Sequence, residues 1–227
     1  MLWVALFARL QAMAGKDVAA ATANALAVQA VERALHVDLE LTANRWLVEH
    51  PILVEPAAVF YRLYYAVIAG VLVWALVRHA ASYVRVRRTL VAMTALALAV
   101  YWAFPLSPPR FALAEIVDIV AEHDPFGGHA SREVGSGQSH YTAMPSMHVG
   151  WAILAAYAAW SVLRVSHPRA ALVAWVFPLV MVADVVTTGN HYVLDVVGSA
   201  VLFAASLGAA AVWGRLVERL KRGSAAG

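Results

Sequence analysis

The stretch AALVAWVFPLVMVADVVTT, residues 170–188, carries one ionisable side chain, Asp184, and runs directly into Gly189-Asn190-His191-Tyr192-Val193-Leu194-Asp195. A bilayer core of about 30 Å takes about 20 helical residues to cross. Backbone in lipid must satisfy its own polar groups, so a run of this kind is a transmembrane helix and not an open strand. Polar residues massed where such a run ends point to function, because ionisable groups are costly there unless partnered.

Working outward, four further apolar runs cover residues 57–78, 89–106, 146–164 and 192–213. The chain is 62% hydrophobic and 14% charged, against about half apolar and a quarter charged in soluble domains. The expected fold is an all-α integral membrane protein, a bundle of five to six transmembrane helices with an amphipathic N-terminal region. The sixth span is open: residues 2–14 are apolar but short, ended by Lys16 and Asp17, and read as a truncated first span or an interfacial helix. Residues 18–50 place Val28, Val31, Leu35, Leu39, Leu41, Trp46 and Leu47 at helical spacing, as in helices lying along a membrane surface. The chain thus divides into an N-terminal region (1–50), a transmembrane bundle (51–214) and a basic tail (215–227).

The chain has no cysteine, which excludes disulfides and thiolate metal sites. Its arginines flank apolar runs, as topology signals do, and form no nucleic-acid signature. Arg78, Arg85, Arg87 and Arg88, then Arg164 and Arg169, then Arg215, Arg219, Lys221 and Arg222 all fall on one side when spans are counted. That side is cytoplasmic by the positive-inside rule. The opposite loop, 107–144, is richer in acids: Glu115, Asp118, Glu122, Asp124 and Glu133 against Arg110 and Arg132. The expectation is a multi-pass protein, in the plasma membrane, with its site on the extracytoplasmic face. Within the loop, Phe111 to Val120 reads as a short helix, and Ala121 to Tyr141 as a Gly-, Ser- and His-rich segment, either a lid or a connector.

Three short motifs meet at that face. Four-residue spacing would stack His191 and Asp195 on one side of a helix. The carboxylate would then hold one imidazole nitrogen and leave the other as a nucleophile. In Met144-Pro145-Ser146-Met147-His148, Pro145 and Ser146 suit a helix start. The open N–H groups there make an anion site, with His148 one turn in. In Phe104-Pro105-Leu106-Ser107-Pro108-Pro109-Arg110, the prolines end the preceding helix and Arg110 emerges at the same depth. A guanidinium there is a bidentate phosphate ligand or an anchor to headgroups. Asp184, Asn190 and Tyr192 are supporting candidates. Asp184 either backs Arg110 or His191 or reaches to water.

With these motifs the chain resembles the type 2 phosphatidic acid phosphatase superfamily over residues 57 to 213. The resemblance implies a helical-bundle phosphatase or phosphotransferase acting on a lipid phosphate among membrane lipids, with no cofactor or metal. It implies His191 as the nucleophile that forms a phosphohistidine, oriented by Asp195. It also implies His148 as general acid, with Arg110 and Ser146 holding the phosphate. Two cationic positions of the common pattern are replaced, by Ala103 before Arg110 and by Asp184-Val185 before His191. The Pro-Pro-Arg, Met-Pro-Ser-x-His and Asn-His-Tyr-x-x-Asp forms are more similar to the inositol phosphorylceramide synthase branch. The second step is therefore open between water and a lipid or sugar hydroxyl, that is, between a phosphatase and an inositolphosphotransferase-like enzyme.

Other readings compete for the same residues. His148 and His191 could be axial ligands of a bis-histidine haem, which leaves Ser146, Arg110 and Asp195 unexplained. His123, His129 and His140 match no common metal-ligand spacing and read as solvated. Phe60, Tyr61, Tyr64, Tyr65 and Trp74 read as an interfacial belt and helix packing. Gly198 and Gly208 read as close-packing positions. No nucleic acid and no obligate protein partner is expected.

Overall fold

The computed structural model describes residues 2–14, 16–123 and 141–224. The order is α1 (Leu2–Met13), α2 (Val18–Leu35), α3 (Glu40–Val48), α4 (Pro51–Arg78), α5 (Ala80–Ala103), α6 (Pro109–Ala112), α7 (Ile119–Glu122), α8 (Met147–Leu163), α9 (Pro168–Val173), α10 (Val176–Thr187) and α11 (Val193–Ser224). The described residues hold no strand beyond an isolated bridge, so the chain is an all-α protein. Four helices are long and apolar enough to cross a membrane, with α9 and α10 together forming Pro168–Thr187, and α8 is a shorter apolar helix. Only 22–33% of each apolar window is buried within the chain. The rest, including Ile52, Val77, Leu179 and Val201, faces outward as a lipid-facing surface must.

Local chemistry sets the helix ends. Asp17 caps α2 by accepting the Ala20 N–H at 2.9 Å. Pro51 and Pro168 open α4 and α9, where a missing N–H costs nothing. Pro105 follows the end of α5, and Ser146 caps α8. Three spans are longer than the apolar runs: α4 begins at Pro51 and tolerates Glu55 and Pro56 in its opening turns, α5 begins at Ala80 inside the basic segment, and α11 runs on to Ser224. Arginine stems extend along apolar surface while their heads reach water, so charges at these ends do not stop a helix.

Helix α8 is the centre of the bundle, packed against α4, α5, α10 and α11. Its buried face mixes Met147, Val149, Trp151 and Leu154 with the small residues Gly150, Ala152, Ala155, Ala156 and Ala158, and the small ones let neighbouring helices come close. A Cβ at Gly150 would meet Met93 Sδ at 3.5 Å. At Gly198 it would meet Met144 and Pro145 at 3.5–3.7 Å, ordinary contact, whereas Gly208 has open space around it, so the close-packing reading is corrected at Gly208.

The N-terminal helices lean on the loops at one end of this bundle. Their outward faces carry Val31, Leu35, Leu39 and Trp46, and their buried faces carry Gln29, Glu32, Glu40 and Asn44. Ala21, Ala25, Val28 and Leu47 are buried beside these polar residues, so the inner faces are mixed. The buried polar groups are matched to backbone: Asn24 Nδ2 donates to Pro105 O at 2.8 Å, and Ala21 O accepts from Ser107 N at 3.2 Å. Asn44 Nδ2 donates to Val117 O at 3.0 Å and Thr187 O at 2.9 Å, while its Oδ1 accepts Val117 N–H at 2.9 Å.

A candidate active site at one end of the bundle

The end of α5, the start of α8, the end of α10 and the start of α11 meet at the same end of the bundle, and α6 lies against them. The α8 start is built around Ser146. Its Oγ accepts the Val149 N–H at 3.4 Å, its carbonyl accepts the Gly150 N–H at 2.9 Å, and the residue is fully buried. The preceding Pro145 carbonyl accepts the Tyr101 hydroxyl at 2.8 Å. The two helix starts are joined: Ser146 N–H points to Asp195 O at 3.4 Å, and the Ser199 hydroxyl sits 2.8 Å from Ser146 O and 2.7 Å from Asp195 O.

His191 Nδ1 lies 3.2 Å from Asp195 Oδ2, the contact the spacing anticipates. The geometry differs from that expectation, because His191 precedes α11 and the pair does not share a helix. Asp195 is the third residue of α11, and the same Oδ2 accepts the Tyr192 N–H at 2.9 Å. A carboxylate at that position reaching back to the residue before the helix is a capping-box arrangement. One side chain thus caps the helix and orients the imidazole. Tyr192 itself points away, its hydroxyl accepting from Gln29 Nε2 at 3.3 Å.

The turn before His191 is built on Gly189, whose φ is +72°. A Cβ there would lie 2.4 Å from Ile116 Cγ2, so glycine is required. The Gly189 carbonyl accepts the Arg110 N–H at 2.9 Å, and the Arg110 Nη1 donates to Asn190 Oδ1. Asn190 is held in turn by donating to Thr188 Oγ1 at 2.9 Å. Arg110 also lies 3.5 Å from Asp118 Oδ1, and its guanidinium carbon is 4.7 Å from the Phe111 ring centroid. Its Nε is buried without a hydrogen-bond partner.

These groups converge on a cavity of about 120 Å³, lined by His148, His191, Arg110 and Asn190. The His148 ring stacks on Tyr61 at 4.1 Å and meets Tyr64 at 4.3 Å, with the His191 ring 5.7 Å away, all between centroids. Tyr61, Tyr64 and Tyr65 therefore line the cavity; the helix-packing part of the reading of these aromatics holds for the buried Tyr61 and Tyr64, and the belt part does not. Aromatic residues on an apolar helix look alike whether they face lipid or a neighbouring helix. Helix α1 closes another side: Phe7 packs on Trp151 at 5.5 Å, and Gln11 Nε2 donates to Thr142 Oγ1 at 2.9 Å.

Ser146 and Asp195 lie behind the cavity and do not line it. Asp184 is buried in α10 with its Oδ2 lacking a hydrogen-bond partner, and it pairs with neither Arg110 nor His191. Among the described residues no cluster of three or more His, Asp or Glu side chains has the arrangement of a metal site. His129 and His140 lie outside the described residues.

Two residues of the site have no signal in the linear sequence. Glu40 Oε1 accepts the Val193 N–H at 2.9 Å, and Glu32 Oε1 accepts the Leu194 N–H at 2.7 Å. Both side chains are buried. Burial pushes the Glu32 carboxyl up to about 8 and raises Glu40 as well, each reinforced by the charge of Asp195.

A model of the PAP2 superfamily matches residues 26–209 of the chain. No match was found among curated proteins or among solved structures.

Proposed function

The chain belongs to the PAP2 superfamily, and on that premise we propose that it is a metal-independent lipid phosphatase working through a phosphohistidine. The observation that carries this reading is the convergence of His191, His148 and Arg110 on one cavity, with Nδ1 of His191 held by a buried carboxylate. That contact leaves Nε2 of His191 as the nitrogen with a free lone pair.

In this mechanism Nε2 attacks phosphorus in line, and the P–O bond to the lipid alcohol breaks. His148, entering as imidazolium, gives its proton to the departing oxygen. Arg110 and the cavity's polar rim stabilise the equatorial oxygens, which is where phosphoryl transfer gains most. Ser146, buried behind the cavity, holds the helix start in place as its cap. Neutral His148 then takes a proton from the acceptor, whose oxygen forms the new P–O bond as the P–N bond breaks.

Water as acceptor gives a phosphatase. A second reading, a phosphotransferase passing a phospho-headgroup to a hydroxyl acceptor, is favoured by the wall of Tyr61, Tyr64, Tyr65 and Trp151. Such a wall stacks a ring and excludes bulk water. We also propose that the histidine end faces away from the cytoplasm in the plasma membrane, because the basic segments 78–88, 164–169 and 215–222 lie toward the other end of the bundle.

The test is phosphate release by the detergent-purified protein from a panel of lipid phosphates in EDTA, beside His191→Ala. EDTA-resistant release that vanishes in the variant is the expected result. His191-dependent transfer to a lipid or polyol without release selects the second reading. Full activity in His191→Ala overturns both.

A further inference from the structure

An α-helix starts with N–H groups that have no partner within the helix. At the start of α11 they are met largely by carboxylates: Tyr192 N–H by Asp195, Val193 N–H by Glu40 and Leu194 N–H by Glu32. Two of these acids come from helices more than 150 residues earlier in the chain. Both side chains are buried, and Glu32 Oε2 has no hydrogen-bond partner of its own among the described residues.

We propose that Glu32 and Glu40 are positioning residues for the reaction at His191, a pair of buried acceptors reaching across from α2 and α3 that secures the first turn of α11 and so leaves Asp195 free to orient the imidazole. The inference rests on the reading of His191 as nucleophile.

The argument is one of competition for donors. Asp195 Oδ2 already serves Tyr192 N–H and His191 Nδ1. With the glutamates removed, the open N–H groups of Val193 and Leu194 seek the nearest acceptor, and Asp195 is the carboxylate in that turn. Each new bond it makes draws it from His191. A helix N-terminus carries roughly half a positive charge, which favours carboxylates as the acceptors there. The ionisable groups facing the pair are Asp195 and the Tyr192 hydroxyl, both acidic. Neither glutamate has an ion pair with a basic side chain among the described residues.

The experiment uses the full chain in detergent, with E32Q, E40Q and E32A/E40A compared with wild type for kcat, KM and acid-labile phosphoenzyme from pH 6 to 10. E32A/E40A is expected to lose about tenfold or more in kcat and in phosphoenzyme formation, with KM within about threefold. E32Q retains an acceptor oxygen and loses less. E40Q behaves likewise, so each glutamine restores most of the kcat and phosphoenzyme that alanine removes. A folded E32A/E40A with wild-type kcat, or glutamine variants as slow as E32A/E40A, overturns the positioning role. If E32A/E40A does not fold, E32A and E40A are compared singly with E32Q and E40Q, and equal kcat within each pair overturns the role. Failure of the underlying reading is distinct, because it shows in the wild type as turnover without an acid-labile phosphoenzyme.

Discussion

Tyr61 and His148 stack face to face, 4.1 Å between ring centroids and 26° between planes, although they come from different helices. Tyr64 meets the same imidazole at 4.3 Å. A charged imidazole between aromatic rings gains from their electron-rich faces, and the contacts fix the ring's plane toward His191. Tyr61→Phe keeps the face and is expected to retain kcat within about threefold, while Tyr61→Ala frees the ring and lowers kcat about tenfold or more. Equal kcat in the two variants would refute the stacking role.

Asp195→Asn preserves shape but offers only one acceptor oxygen, and it cannot stabilise a positive imidazole. A loss of about 10³-fold or more in kcat is expected, in line with other carboxylate-oriented histidines. Stopped-flow measurement of phosphoenzyme formation separates this from a product-release effect, and a first step at wild-type speed would remove Asp195 from the mechanism.

Arg110 uses Nη1 on Asn190 and its own backbone N–H on Gly189. A lysine supplies one point charge and not a planar fork. Arg110→Lys is therefore expected to raise KM and lower kcat, together about 10²-fold in kcat/KM. Inorganic phosphate or vanadate inhibition should weaken in parallel. Undiminished inhibition in the variant would place the anion elsewhere.

Gly189→Ala puts a methyl group into Ile116 at a positive φ. A cost of about 1–3 kcal/mol is expected from the backbone conformation, visible as a lowered Tm. Activity should fall too, because the same peptide anchors Arg110. An unchanged Tm would mean that the turn has another accessible shape.

Stability should depend on pH through Glu32. Burial pushes its folded pKa up to about 8, above the ordinary carboxyl value of 4.5. Between those values the folded chain holds a proton the unfolded chain has lost, so raising the pH favours unfolding. Tm is expected to decline as pH rises from about 5 through 8, with a shallower decline in Glu32→Gln. Identical slopes would assign the pH dependence to other groups.

The spans were legible because lipid imposes a length and an apolarity that survive in one dimension. Their ends were less so: α4 and α5 reach into charged segments, and α11 continues past Arg215 to Ser224. The spacing of His191 and Asp195 indicated a contact that the structure makes by a different route, a turn feeding a helix start. Tyr61 and Tyr64 were hidden because a helix aromatic on every side gives no sign of which face meets α8. Glu32 and Glu40 were hidden for a stronger reason. Their partners are backbone N–H groups, which every residue except proline has, so no pattern of side chains marks them.

Leu106 and Thr142 form a short parallel bridge, with Leu106 N–H on Tyr141 O at 2.9 Å and Ala143 N–H on Leu106 O at 3.2 Å. The chain leaving α5 is thereby tied to the chain entering α8 beside the cavity. The Arg110 segment and the start of α8 are therefore one mechanical unit, and a displacement of either is handed on to the other through the bridge.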